Sequence, residues 1–236
     1  MRSAMLRYAA IALLACATSL RAAPPSSVSA TYEVRMNGLS VASISESYQA
    51  QDGSYRLTSN STPQGIFALV KKLAVSFVST GEVTPQGLRP HRFEGRRATG
   101  RIPEAVADFD WSSGRLQLEH EGKAQTLPLA AGVQDRLSVM YEFMFVAPGA
   151  ADTLEVAVTN GRSLERYVYS VTRDVELDTA LGRIRTLHLV KQHAPGDPQN
   201  EIWLSPEHGY LPVRMAIVER NGTRYEQLVS QLDSEP

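Results

Sequence analysis

Apolar and polar residues alternate along most of this chain from Val28 onward, as they do in strands with one buried face. The alternating runs are short, and turn sequences such as QDG at 51–53, SSG at 112–114 and NG at 221–222 separate them. Strands joined by short turns pair antiparallel, because parallel neighbours need long crossovers. The pattern therefore predicts a mainly β fold, with an antiparallel sheet of roughly ten strands or more.

One stretch near the middle of the chain departs from this alternation. In QDRLSVMYEFMFVAPG, Leu137, Tyr141 and Met144 recur at helical spacing, with Met140 beside them. This spacing predicts a helix over 134–146.

The predicted helix and the predicted sheet fit together in one architecture. Asp135 stands where a side chain can accept hydrogen bonds from the first free N–H groups of the helix, so we interpret it as a cap. A sheet of this size curls, and its concave apolar face must be filled. We therefore predict a strongly curved antiparallel sheet, a half-open barrel, wrapped around this one central helix. Such a shape is similar to the folds of periplasmic lipoprotein carriers, which hold acyl chains inside a curved sheet.

The first 23 residues predict export from the cytoplasm. A short basic start, MRSAMLR, precedes the apolar run YAAIALLACA, which has signal-peptide length and is too short to span a bilayer. The predicted organisation is a signal peptide over 1–23 and a single β-rich domain over 24–236. No later apolar run approaches the roughly 20 residues of a membrane span, so we expect a periplasmic or secreted protein without one.

Cys16 leaves a second localisation open. It is the only cysteine, and the sequence LLAC that it ends resembles the lipobox of bacterial lipoproteins. Lipidation of Cys16 would anchor the protein to the outer membrane, whereas ordinary cleavage would release it. In both cases the mature chain lacks a thiol for a disulfide, a CxxC site or a nucleophile.

The composition and net charge of the chain bear on which classes of partner it can bind. Of the 236 residues 43% are hydrophobic, which is enough for a core and too apolar for disorder. The leader holds three arginines and no acid, which leaves 21 basic against 25 acidic residues, a net charge of −4, from Pro24 onward. Nucleic-acid binders usually carry a basic excess, so we expect no nucleic-acid partner.

The residue types that usually carry catalysis are present but not in catalytic patterns. Ser138 has no GxSxG frame, and the pair Asp108 and Asp110 is more typical of a solvated strand face than of a glycosidase. The chain has neither a GxGxxG motif nor a phosphate-binding P-loop. The five histidines show no metal-binding spacing: His91, His120, His188, His193 and His208. We therefore expect a protein that is not an enzyme and that uses no cofactor and no metal.

The densest charge lies in LRPHRFEGRRATGR at 88–101, where Glu94 is the only acid. Arginine suits phosphate and carboxylate groups, so this stretch is a candidate site for lipid head groups or lipopolysaccharide. The alternative is an edge strand that charge keeps soluble. The candidate anion-binding residues are Arg89, Arg92, Arg96 and Arg97, with Arg101 close by.

Several short motifs resemble those of a bacterial family, domain-of-unknown-function family 3108. They are an early strand ending in Asn37-Gly38, the LRP of 88–90, the QD of 134–135 with Leu137, Ser138 and Tyr141, and a late group of Trp203, Leu204, Leu211, Pro212 and Val213. A second glycine often follows the first strand in such proteins, and here Ala42 stands near that place. The resemblance implies an envelope location and a β-rich fold, and it supplies no catalytic residues.

Two functions remain open. The first is a non-enzymatic envelope module that binds a lipid or another apolar ligand inside the curved sheet. The second is a structural or protein-interaction scaffold of the periplasm, whose sheet is filled by its own helix and which meets another envelope protein. For the first, the candidate ligand-binding residues are Met140, Tyr141, Met144 and Trp203.

Overall fold

The computed structural model describes residues 24–69, 74–97, 100 and 102–235. The predicted signal peptide, with Cys16, lies outside these residues, as does Arg101. The strands of the described part are β1 (Ser27–Met36), β2 (Leu39–Gln51), β3 (Ser54–Pro63), β4 (Val75–Thr84), β5 (Gly87–Arg97), β6 (Ala105–Asp110), β7 (Arg115–His120), β8 (Lys123–Pro128), β9 (Gln134–Asp135), β10 (Thr153–Thr159), β11 (Leu164–Thr179), β12 (Gly182–Lys191), β13 (Gln199–Ser205), β14 (Leu211–Val218) and β15 (Arg224–Glu235). One α-helix, α1 (Ser138–Glu142), and 3-10 turns at Gly65–Leu69 and Pro206–His208 accompany them.

All fifteen strands belong to one sheet, in the order β8-β7-β6-β5-β4-β3-β2-β1-β15-β14-β13-β12-β11-β10-β9. Neighbours pair antiparallel throughout, except that β9 runs parallel to β10. The two halves of the chain are joined by the pairing of β1 with β15. The predicted mainly antiparallel β fold is therefore confirmed, and the sheet is open because β8 and β9 remain its two edges.

Local sequence explains the tight hairpins between the first strands. Asn37 and Gly38 have φ angles of 49° and 83°, and Asp52 and Gly53 have angles of 52° and 75°. Two consecutive positive φ angles are typical of the type I′ turn, whose twist matches that of the flanking strands. Asn, Asp and Gly tolerate this backbone, so the sequence sets the register of β1, β2 and β3 at these points.

The sheet curls until its β9 edge meets the strands of the first half. The Nε2 of Gln134 on β9 donates to the Leu88 carbonyl on β5 at 2.8 Å. The Ser79 hydroxyl on β4 donates to the Asp135 carboxylate at 2.6 Å. These contacts bring β9, β4 and β5 together without strand pairing and give the sheet a barrel-like shape.

The predicted central helix over 134–146 is wrong in extent. Only Ser138–Glu142 is α-helical, and Gln134 and Asp135 instead form β9. The Arg136 N–H continues the β9 pairing by donating to the Thr159 carbonyl at 2.9 Å. The backbone of residues 134–136 therefore hydrogen-bonds to the sheet and does not extend the helix. After Glu142 come Phe and Val residues, which favour the helix weakly, and a helix this short has little stability of its own. The sheet therefore does not wrap a long helix.

The side chains of this segment still fill the interior. Leu137, Tyr141 and Met144 are all buried in the largest core cluster, together with Phe93 and Leu116 from the first half of the sheet. A second cluster surrounds Trp203, and a third joins residues of β11, β12 and β13. The helical spacing thus identified buried positions correctly, although the segment is mostly not helical.

Candidate ligand-binding cavity

A cavity of about 340 Å³ lies inside the curled sheet. Its wall combines β2, β3 and β4 from the first half with the 136–143 segment and strands of the second half. The lining residues are Ile44, Glu46, Ser59, Phe77, Arg136, Leu137, Val139, Met140, Phe143, Val156, Val158, Asn160, Ser163, Glu165, Tyr167, Tyr169, Asn200, Ile202, Met215, Ile217, Tyr225 and Gln227.

The wall is mainly apolar, and one part of it is solvent-exposed. Ile217 and Tyr225 both line the cavity and keep 39% and 38% of their surface exposed, so they mark its mouth. Val158 and Ile202 are buried further in. A concave apolar wall with a few polar groups is typical of small-molecule sites, which usually measure about 300–1,000 Å³.

Arg136 brings a positive charge to this wall. Arg136 directly follows the last residue of β9, and its guanidinium carbon lies 4.4 Å from the centre of the Phe77 ring. The side chain has accessible surface because it borders the cavity, yet the surrounding protein desolvates it, and this burial lowers the pKa of the guanidinium. Within the described residues it forms no ion pair and no side-chain hydrogen bond.

Glu46 is a buried carboxylate on the same wall. It accepts hydrogen bonds from the Ser59 hydroxyl at 2.9 Å and from the Tyr141 hydroxyl at 3.0 Å. Burial raises the pKa of Glu46, and the two hydrogen bonds oppose that shift. Glu46 is therefore held by donors of β3 and α1, and it does not form an ion pair with Arg136.

Asp135 fixes the backbone on which Arg136 stands. One carboxylate oxygen accepts the N–H groups of Leu137 and Ser138, each at 2.8 Å, and the other accepts the Ser79 hydroxyl. In return, the Ser138 hydroxyl accepts the Asp135 N–H at 3.0 Å. The Asp135 carboxylate thus accepts N–H groups at the start of the helix, as predicted, although α1 has Leu137 as its N-cap residue.

The structure does not bring the four candidate ligand residues together. Met140 lines the cavity, and Tyr141 reaches its wall through the hydrogen bond to Glu46. Met144 is buried in the largest core cluster and lies outside the lining. Trp203 is also outside the lining, whereas its neighbour Ile202, on the opposite face of β13, belongs to it.

Trp203 instead packs between side chains of the two neighbouring strands. Its ring stacks on His188 of β12 with centroids 4.2 Å apart, and the Arg214 guanidinium of β14 lies 4.6 Å from its centre. His188 in turn contacts Glu201 at 2.8 Å. Only 6% of Trp203 is exposed. A ligand role for Trp203 stays a prediction, and its surroundings are those of a packing residue.

The arginine-rich stretch forms β5, and each candidate anion-binding residue contacts a carboxylate. Arg89 bonds to Glu82 at 2.7 Å, and Arg97 bonds to Glu104 at 3.1 Å. Arg92 and Arg96 share Glu94, and Arg92 also reaches Asp108 on β6. Most of these acids lie outside β5, so the sequence of 88–101 alone does not show that the arginines have acidic partners. Anion binding at these arginines stays a prediction, but the structure shows neutralised side chains there.

The other candidate residues, the histidines and Ser138, do not form a metal-binding or catalytic site among the described residues. Within the described residues no three His, Cys, Asp or Glu side chains meet as a metal ion would require. Ser138 is fully buried and bonded to Asp135. No helix in that part of the chain is long and apolar enough to cross a membrane.

Sequence reasoning missed the three charged residues that line the cavity, Arg136, Glu46 and Glu165. A signal for Glu46 exists, because it shares the alternation of the inward-facing Ile44 and Tyr48 on β2. Arg136 had no comparable signal, since a helix from residue 134 would place it on the polar face.

The comparisons with known proteins agree with the fold. A family model described as "Protein of unknown function (DUF3108)" matches residues 31–229. No curated protein matches the chain.

Solved structures resemble the chain at low sequence identity. A β-barrel-like protein of domain of unknown function DUF1849 from Brucella abortus has a TM-score of 0.54 at 8% identity, with 90% of this chain and 99% of that one covered. A candidate lipoprotein from Parabacteroides distasonis has a TM-score of 0.35 at 9% identity, covering 89% and 95%. A candidate outer membrane lipoprotein-sorting protein domain from Vibrio parahaemolyticus has 0.26 at 10% identity, covering 88% and 85%. Of these three structures, the Brucella protein has the similarity that supports the barrel-like fold.

Proposed function

The chain belongs to the DUF3108 family, and we propose that it is a non-enzymatic protein of the cell envelope that binds an apolar ligand inside its curled sheet. The observation that carries this proposal is the cavity of about 340 Å³ with its mainly apolar wall. Its mouth at Ile217 and Tyr225 gives a ligand a route inward.

The ligand is a lipid or a similar slender apolar molecule. The cavity lies at the lower end of the range for small-molecule sites, about 300–1,000 Å³, so it suits one alkyl chain better than a lipid with several. Met140 and Met215 on the wall have flexible thioether side chains, which adapt to irregular apolar shapes. Removal of the ligand's alkyl chain from water supplies the binding free energy, at about 0.8 kcal/mol for each buried methylene.

The envelope location rests on the N-terminal sequence. Its basic start and short apolar run are typical of a signal peptide, and Cys16 offers a lipid anchor as the alternative. Mass spectrometry of the mature N-terminus distinguishes these cases. An intact Met1 on a cytosolic protein would contradict export.

Ligand binding can be tested with an uncharged fluorescent probe, N-phenylnaphthylamine, on delipidated protein. We expect saturable fluorescence enhancement by the natural protein and a loss of about tenfold or more in affinity for Val156→Phe, because the added ring occupies the cavity. Thr153→Phe is the matched control, since it adds the same ring on the exposed opposite face of β10 and should bind normally.

The scaffold alternative predicts a different result. If the natural protein binds no probe, and an organic extract of protein purified from its own envelope contains no stoichiometric lipid, the interior is only a packed core. Equal binding by the natural protein and Val156→Phe would also reject the cavity as the site.

A further inference from the structure

The cavity wall carries a positive group that has no anionic partner among the described residues. Arg136 lines the wall, and no carboxylate of the described residues comes within ion-pair distance of its guanidinium. The side chain of Arg136 keeps solvent-accessible surface where it borders the cavity, so its guanidinium can reach a molecule bound there. The guanidinium also contacts the Phe77 ring in a cation–π interaction. The remaining donors are available to a ligand.

Glu165, the other acid on the cavity wall, accepts the Ser163 hydroxyl at 3.0 Å and forms no ion pair with Arg136. The two acids that interact electrostatically with Arg136, Asp135 and Glu46, also have other hydrogen-bond donors. Asp135 accepts two backbone N–H groups and the Ser79 hydroxyl, and Glu46 accepts the hydroxyls of Ser59 and Tyr141. Burial also raises the pKa of Glu46, which favours its neutral form and weakens its competition for Arg136. Neither acid therefore replaces an external anion.

The position of Arg136 is also rigid. Its own N–H donates to the Thr159 carbonyl at 2.9 Å, while hydrogen bonds on both sides of it tie Asp135 and Ser138 together. A guanidinium on a fixed backbone loses less entropy when it binds an anion, and its planar fork matches carboxylate and phosphate oxygens.

We infer that the cavity binds a single-chain anionic amphiphile, whose carboxylate or phosphate contacts Arg136 while its alkyl chain lies along the apolar wall. This inference rests on the proposed function and specifies its ligand class. Fatty acids and alkyl phosphates share the required chemistry, an acidic head on one apolar chain.

The test compares three ligands of equal chain length: dodecanoate, dodecyl phosphate and dodecanol. Each displaces N-phenylnaphthylamine from the full mature chain at about pH 8, where a free carboxylic acid is ionised. The natural protein should bind at least one of the two anions about tenfold or more tightly than dodecanol, as expected for a charge-assisted hydrogen bond. Which anion is preferred distinguishes the carboxylate from the phosphate ligand.

Arg136→Met keeps an apolar side chain of similar length on Phe77 and removes the charge. It should weaken binding of the preferred anion about ten- to hundredfold and leave dodecanol binding nearly unchanged. Arg56→Met removes the same charge from the exposed outer face of β3 and should change neither affinity. Arg136→Lys should retain part of the preference for the anion.

A stability measurement separates this role from a structural one. Because the Arg136 side chain is solvent-accessible and forms no ion pair with an acid of the described residues, Arg136→Met should melt at about the same temperature as the ligand-free natural protein. A lower melting temperature, equal losses for anion and alcohol, or unchanged anion affinity would each overturn the inference. If the natural protein binds dodecanol and the uncharged probe without preferring either anion, the anion site is wrong while apolar binding stands. If it binds none of them, both proposals fail.

Discussion

The carboxyl group of Glu142 should make the protein less stable as the pH rises. Glu142 ends α1, and its carboxylate accepts the Leu88 N–H at 2.6 Å beside Gly87. The approach is so close that a Cβ on residue 87 would lie 2.1 Å from a carboxylate oxygen. Burial raises the pKa of Glu142 from 4.5 to about 7, and the Leu88 hydrogen bond opposes this shift.

The sign and size of the effect follow from linkage. Between pH 4.5 and about 7 the folded protein keeps the proton of Glu142 whereas the unfolded chain has lost it, so the free energy of unfolding falls as pH rises. Each pH unit in that window costs about 1.4 kcal/mol, and partial exposure of the group reduces the total to about 2–3 kcal/mol. Below the window the contribution disappears, and above it the loss stays constant.

Glu142→Gln isolates this effect, since the amide oxygen can still accept the Leu88 N–H. Urea unfolding should give similar stability for the variant and the natural protein near pH 4, and a variant more stable by about 2–3 kcal/mol near pH 8. Glu119→Gln, at an exposed position on β7, is the control for loss of a surface charge. A difference for Glu142→Gln that stays constant with pH, or a natural protein more stable at pH 8, would refute the burial argument.

Two further substitutions test the interior. Trp203→Ala should lower the free energy of unfolding by about 3–5 kcal/mol, since it removes a ring packed between His188 and Arg214, while Trp203→Phe should lose less. An unchanged melting temperature for the alanine variant would contradict this packing. Asp135→Ala should cost about 3 kcal/mol or more in urea unfolding, because it leaves buried N–H groups of Leu137 and Ser138 without their acceptor. Asp135→Asn retains an acceptor and should cost less, so equal losses for both variants would show that charge rather than hydrogen bonding matters.

Local patterns in the sequence were sufficient for the strands and insufficient for the central segment. Alternation and turn residues such as Asn37-Gly38 act within a few positions, so they predict hairpins directly. The 134–146 segment was predicted as a helix because its apolar spacing is helical. Gln134 and Asp135 form β9 because their backbone pairs with β10, and their side chains bond to Leu88 and Ser79. All these partners lie far away in the chain. Such tertiary contacts override helix propensity, and no local pattern records them.

The same limit applies to charged groups. The β5 arginines formed the densest basic stretch of the sequence, but the fold supplies carboxylates such as Glu82 and Glu104 as partners. The sequence contains no signal that distinguishes Arg136, since isolated arginines on a predicted helix are usually exposed. Its importance depends on which acids fail to reach it, and this follows only from the way the sheet curls.

The charged residues of the interior differ in whether they form hydrogen bonds that hold the fold together. Asp135 joins β9 to the start of α1, and Glu142 joins α1 to β5. Glu46 joins β2 to β3 and α1 through two hydroxyls. Each of these acids accepts hydrogen bonds from other elements, so a substitution that leaves those donors without an acceptor should destabilise or rearrange the fold. Arg136 contacts the Phe77 ring of β4, but its side chain forms no hydrogen bond or ion pair with another element of the described residues. A charged group on a cavity wall without an anionic partner is expected where function requires it, and this contrast favours a ligand anion as the partner of Arg136.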